Sequence, residues 1–159
     1  MADVQVEGLP EVVFADGAPV LAEGERHREV LVLVSGAVRV SAKGADIRVI
    51  DEPGAIFGEM ATLLDAPATA TVTAVGECRF RRAEDGATFM RQQPEFALTV
   101  ATTLAQRLDV ITRYLADLRN QYADRSDHLG VVDTVLESLL QHQGRGVQPG
   151  SEREAEAPY

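Results

Sequence analysis

Apolar and polar residues along this chain follow one period up to about Glu84 and a different one beyond it. The first period is that of strands. After a loose lead-in over residues 1–10, with a short helical piece at most, Val12-Val13-Phe14 and Pro19-Val20-Leu21 read as short strands. Turns at Asp16-Gly17 and Glu23-Gly24 follow them. Glu29 to Ser35 is an almost unbroken apolar run, ended by Gly36. Ala37 to Ala42 then sets Val38, Val40 and Ala42 against Arg39 and Ser41, the two-residue alternation of a half-buried strand. Past the Lys43-Gly44 turn, Asp46 to Asp51 alternates again, with Ile47 and Val49 on one face and Arg48 and Ile50 on the other. Pro53-Gly54 turns the chain into Ala55-Ile56-Phe57. Met60 to Leu64 has room for a short helix, which Asp65-Ala66-Pro67 breaks. Ala68 to Ala74 resembles a strand, and Val75-Gly76-Glu77 leads into another at Cys78 to Arg81. Short strands with turn signals about every 8–12 residues predict an antiparallel sandwich or barrel.

Beyond Glu84 the spacing becomes helical. Ala87 to Gln92 predicts a short helix that stops before Pro94, and Pro94-Glu95 opens a long one over 94–125, where a first-turn proline loses nothing by lacking an N–H. Ala101, Leu104, Leu108, Ile111, Leu115, Leu118 and Tyr122 recur at alternating steps of three and four, the a/d stripe of a coiled coil. The start of the stripe, near Phe96 and Leu104, has the chain's own strands to cover it. Past Ile111 the helix runs on for about 20 Å, and Leu115, Leu118 and Tyr122 would stand bare unless a second copy packs on them. A homodimer through Leu104, Leu108, Ile111, Leu115, Leu118 and Tyr122 is the expectation. Ser126 or Asp127 is placed to cap a further amphipathic helix over 126–143, with Val132, Val135, Leu136, Leu139 and Leu140 on its apolar face and Gly144 ending it. Residues 144–159 have almost nothing to bury and are expected to be disordered. The predicted organisation is a domain over 1–125 that includes the long helix, an added helix, and a tail.

Composition narrows the chemistry. At 159 residues the chain suffices for one domain with a real core, and no apolar run is long enough for a membrane span or a secretory leader. A single cysteine, Cys78, excludes an internal disulfide and suits a reducing cytoplasm. The formal net charge of −10 argues against nucleic acid, whose phosphates must be met by Lys and Arg. His27, His128 and His142 are too dispersed for a metal centre, and only Arg79 flanks Cys78 to activate it. No metal and no enzymatic activity are expected.

The candidate chemistry lies between Phe57 and Ala74, FGEMATLLDAPATATVTA. A glycine followed at once by a helix offers unpaired N–H groups and the positive end of the helix dipole to an anion. Gly58 lets the backbone approach closely. Glu59 would repel a phosphate yet accept from a neutral hydroxyl on the same ligand.

This stretch resembles the phosphate-binding cassette of cyclic-nucleotide-binding domains, of the catabolite activator protein and protein kinase A regulatory-subunit type. The pattern F-G-E-x-A-x-L is met by Phe57 to Leu63, and P-R-[ST]-A-[ST]-V-x-A by Pro67 to Ala74, except that Ala68 stands where the family carries its phosphate-pairing arginine. The resemblance covers roughly Leu9 to Arg125. It implies a mainly β fold, an antiparallel jelly-roll barrel followed by C-terminal helices and dimerisation through the long one. It further implies that amides of Gly58, Glu59, Met60 and Ala61 face a cyclic phosphate, that Glu59 accepts from the ribose 2′-hydroxyl, and that Thr69 donates to a phosphate oxygen or the guanine region. On the long helix it implies Arg107 near the ribose and Thr112 at the purine. The expected ligand is cAMP or cGMP.

With Ala68 in the arginine's place three outcomes stay open: weaker binding that survives through Arg107 or a second subunit, a different ligand, or an empty pocket on a dimeric adaptor. The expected function is a stand-alone sensor that signals to an unidentified protein partner, with 126–143 as the candidate partner surface. The alternative is a ligand-independent adaptor of the same fold. About thirty residues follow the long helix, fewer than a winged helix-turn-helix needs, so DNA binding is not expected.

Overall fold

The computed structural model describes residues 6–122 and 126–141. Six strands form one antiparallel sheet: β1 (Glu11–Phe14), β2 (Pro19–Leu21), β3 (Val30–Ala42), β4 (Ala45–Ile50), β5 (Ile56–Phe57) and β6 (Thr71–Ala83). The described helices are α1 (Glu59–Leu64), α2 (Gly86–Gln92), α3 (Pro94–Gln121) and α4 (Ser126–Gln141). The mainly β class with C-terminal helices is as expected. The hydrogen-bonded path is open rather than a closed ring: β1-β6-β3-β4, with β2 added to β6 and β5 to β3.

Two long strands carry the sheet. β3 and β6 pair from Val30↔Ala83 to Ser41↔Thr71, and between them they accept every other strand. The chain passes straight through Gly36 instead of ending a strand there. With φ of 97°, Gly36 makes a bulge where the β3–β6 register shifts, between Leu33 and Ala37. A Cβ at this position would lie 2.6 Å from the Glu77 carbonyl oxygen and 3.0 Å from Cys78 Sγ, so only glycine fits. The bend sends Leu31, Leu33 and Val38 into one core with Val20, Leu21, Phe57, Val72, Ala74, Cys78 and Phe80. Phe80 is its hub, meeting Phe14 and Phe57 edge to face at centroid distances of 5.6 and 6.0 Å. Cys78 is fully buried and its thiol donates to the Ala37 carbonyl at 2.8 Å. On β4, Ile50 packs toward the core while Ile47 and Val49 face out.

The last strand starts later than the alternation suggested, at Thr71. Residues 67–68 pair instead with the segment before β3. The Ala68 amide donates to the Glu25 carbonyl and the Gly24 amide to the Ala68 carbonyl, both at 2.8 Å, and Arg26 bridges to Pro67.

The contacts divide the chain into two units, Met1–Thr103 and Leu104–Tyr159, with the division inside α3. In the first, Phe96 and Val100 of α3 are buried, and Phe96 meets Phe89 of α2 at 5.1 Å. Ala101, the expected start of the apolar stripe, is exposed; the buried position is Val100, one residue earlier. In the second, Leu104, Leu115 and Leu118 are half-buried, whereas Leu108, Ile111 and Tyr122 are exposed. Arg119 of α3 pairs with Asp133 of α4 at 3.0 Å. On α4, Leu136 is buried, Val132 and Leu139 half-buried and Val135 exposed. The expected tail over 144–159, the end of the long helix at 123–125, Gly144 and the Leu140 side chain lie outside the described residues.

Candidate functional site

The site is built on the link between β5 and β6. β5 delivers Phe57 into the core opposite Leu31. The next residue, Gly58, turns left-handed at φ 85°, ψ −4°, and α1 starts at once. No side chain caps this helix start, so its first amides are not spent on a capping residue. A Cβ on Gly58 would run into the Glu29 carbonyl oxygen, with Leu21 Cδ1 the nearest side-chain atom at 3.6 Å. The glycine is therefore fixed twice over, by its φ and by its neighbour.

Among the described residues Glu59 is the one charged residue in the buried set, 6% exposed. Burying a carboxylate is costly without compensating contacts, and its position in the first turn sets it beside the helix's positive end. Ala61 is also buried, while Met60, Leu63 and Leu64 are 42%, 51% and 66% exposed. One side of this short helix is thus apolar and open. After Asp65, itself left-handed at φ 47°, Pro67 and Ala68 run beside residues 24–26. Ala68 is half-buried and Thr69 exposed.

The sequence did not point to Arg26. Its Nη1 donates to the Asp65 carbonyl at 2.8 Å and approaches Asp65 Oδ1 at 3.4 Å. A cation therefore does stand at the cassette, but turned toward the loop at the C-terminal end of α1. The Asp65 position, which ends the helix left-handed, was the only local hint of a partner there. Arg107 is exposed and Thr112 half-buried on the part of α3 that belongs to the second unit.

Behind the cassette, α2 is pinned to the start of β3. The Gly86 amide donates to the Arg28 carbonyl at 2.8 Å, and a Cβ on Gly86 would strike the Val30 side chain. Asp85 caps α2, accepting from the Thr88 amide at 3.0 Å. That bond, with Arg28 and Arg91 nearby, holds its carboxyl below the usual aspartate range. Among the described residues no group of His, Cys, Asp and Glu is arranged to hold a metal ion, and no helix is long and apolar enough to cross a membrane.

Comparison with known proteins agrees with this geometry. Residues 11–88 match the cyclic nucleotide-binding domain family. A CRP-like cAMP-activated global transcriptional regulator of Mycobacterium tuberculosis is 30% identical over 116 residues, 69% of this chain and 52% of its own length. A cGMP-dependent protein kinase of Eimeria tenella is 41% identical over 61 residues, 38% of this chain and 6% of the kinase. The chain thus spans about half of the mycobacterial regulator and a small part of the kinase. In fold, the catabolite activator protein of Thermus thermophilus superposes with a TM-score of 0.64 at 20% identity, covering 92% of this chain and 85% of that one. With the left-handed Gly58, the buried Glu59 and the strand order around them, these likenesses establish that the chain belongs to the cyclic nucleotide-binding domain family.

Proposed function

We propose that this chain is a regulatory module, not an enzyme, that binds a cyclic nucleotide, cAMP or cGMP, and passes its ligand state to a partner protein. The observation that carries the reading is the pair Gly58 and Glu59: a left-handed glycine at an uncapped helix start, beside a buried acid. In this reading the amides of Gly58 to Ala61 receive the cyclic phosphate, Glu59 accepts from the ribose, Thr69 donates to the ligand, and Arg107 and Thr112 meet its sugar and base. The domain over 1–125 holds the ligand and dimerises through Leu104, Leu108, Ile111, Leu115, Leu118 and Tyr122. Helix α4 contacts the partner, and the module works in the cytoplasm. DNA is not a partner in this proposal: α4 carries no lysine or arginine to meet phosphates.

Ala68 favours a second reading, a ligand-indifferent dimeric adaptor. An arginine–phosphate pair is worth about 1.5–3 kcal/mol, against about 0.3–2 kcal/mol from a helix N-terminus. Without the arginine the larger contribution is missing. Thermal melting of the protein titrated with cAMP, cGMP and cyclic dinucleotides separates the two. A melting temperature that rises with one of them in proportion to occupancy supports sensing; flat traces with every nucleotide leave the adaptor.

A further inference from the structure

The cassette helix has a second neighbour. Between α1 and α2 lies a cleft of about 390 Å³, lined also by residues 27–28. This size lies within the range of about 300–1,000 Å³ that small-molecule sites occupy. Its charged and titratable lining is His27, Arg28, Asp65, Asp85 and Arg91.

Both acids in the lining are already engaged. Asp85 is spent on the Thr88 amide as the α2 cap, and Asp65 takes Arg26. Arg28 and Arg91 make no ion pair within 4.0 Å among the described residues and act on Asp85 only at longer range. With Asp65 turned to Arg26, which lies outside the lining, and Asp85 to the Thr88 amide, Arg28 and Arg91 are the charged groups of the cleft left without a close partner. Two forked donors and an imidazole around a concave space are the parts of an oxyanion site.

We propose that the cleft between α1 and α2 is a second ligand site, taking a small molecule that bears a phosphate or carboxylate group between Arg28 and Arg91. It is separate from the cyclic-nucleotide pocket, sharing only Ala61 with the predicted amide stretch, and it does not depend on that pocket being functional. Because α1 forms one wall, a molecule held there braces the cassette helix against α2.

Calorimetric titration of the full chain with inorganic phosphate and, separately, with malonate tests this, with sodium chloride at matched ionic strength as the reference. Saturable binding of at least one anion is expected, weakened about tenfold in Arg28→Gln and in Arg91→Gln by loss of a charge-assisted hydrogen bond. Binding of phosphate alone assigns a phosphorylated ligand, of malonate alone a carboxylate, and of both an oxyanion site without preference. Amide chemical-shift mapping gives an answer even if Arg28→Gln does not fold, with the largest changes expected at Thr62, Ala87 and Thr88. No saturable heat with either anion, equal affinity in the Arg91→Gln variant, or shifts centred on Gly58 and Glu59 would each overturn the proposal.

Discussion

The α-carbon of Gly58 faces the carbonyl oxygen of Glu29 with no room between them for a Cβ. This close approach sets the entry of the cassette against the residue just before β3, at a Gly58 whose φ is positive. Gly58→Ala therefore combines a left-handed alanine, about 1–2 kcal/mol, with a clash against main chain that cannot swing away. A loss of at least about 2 kcal/mol in chemical denaturation is expected, along with weaker nucleotide binding. An alanine variant as stable as the parent would mean that the turn relaxes freely.

Restoring an arginine at position 68 probes the pocket from the other side. The backbone there is held by hydrogen bonds to Gly24 and Glu25, so Ala68→Arg changes the side chain while leaving the strand entry in place. Nucleotide affinity measured by calorimetry should rise about 10- to 150-fold. A parent that already binds at micromolar concentration and gains less than about threefold would contradict the account of the site.

Asp85 gives a pH-dependent test. Its carboxyl is held low chiefly by the hydrogen bonds from Thr88, with Arg28 and Arg91 adding to the effect. A depressed folded-state pKa contributes stability that is present above the unfolded value and lost as pH falls through the folded one. Asp85→Ala should lower the urea midpoint at pH 7, and the gap between variant and parent should close as the pH is brought below the model-peptide value of 3.8. A gap of equal size at pH 7 and at pH 2.5, about a unit and a half below the ordinary aspartate pKa, would show that the cap does not act through its charge.

The long helix is tested by association. Leu115 and Leu118 are half-buried and Ile111 exposed along the same stripe of α3. Leu115→Asp would set a carboxylate in the proposed seam. Sedimentation should show a dimer for the parent and a monomer for the variant; a parent that sediments as a monomer refutes the proposed pairing.

Much of this architecture was readable from local pattern. Val38 and Val40 alternating against Arg39, and the change of period after Glu84, reflect rules that act over a few residues. Phe57-Gly58-Glu59 was legible because a glycine at a helix start carries its own geometric meaning. What escaped notice depends on partners distant in sequence. Gly36 reads equally well as a turn or a bulge, and only its closeness to Cys78 and Glu77 decides between them. Arg26 reaches Asp65 across 39 positions, a pairing no window contains. Thr69 and Ala70 alternate like a strand yet fall outside one, because residues 67–68 are drawn to Gly24, Glu25 and Arg26 instead. The cleft between α1 and α2 was invisible for the same reason: its arginines lie on opposite sides of the cassette in sequence.

The two anchor points of the cassette sit on one strand. Phe57 is registered with Leu31 and Thr71 with Ser41, ten positions apart on β3 (41 − 31), and the Gly36 bulge lies between them. The cassette therefore spans the bend that β3 makes at Gly36, like a cord across a bow. A glycine outside the cassette thereby takes part in setting where the two ends of the cassette stand.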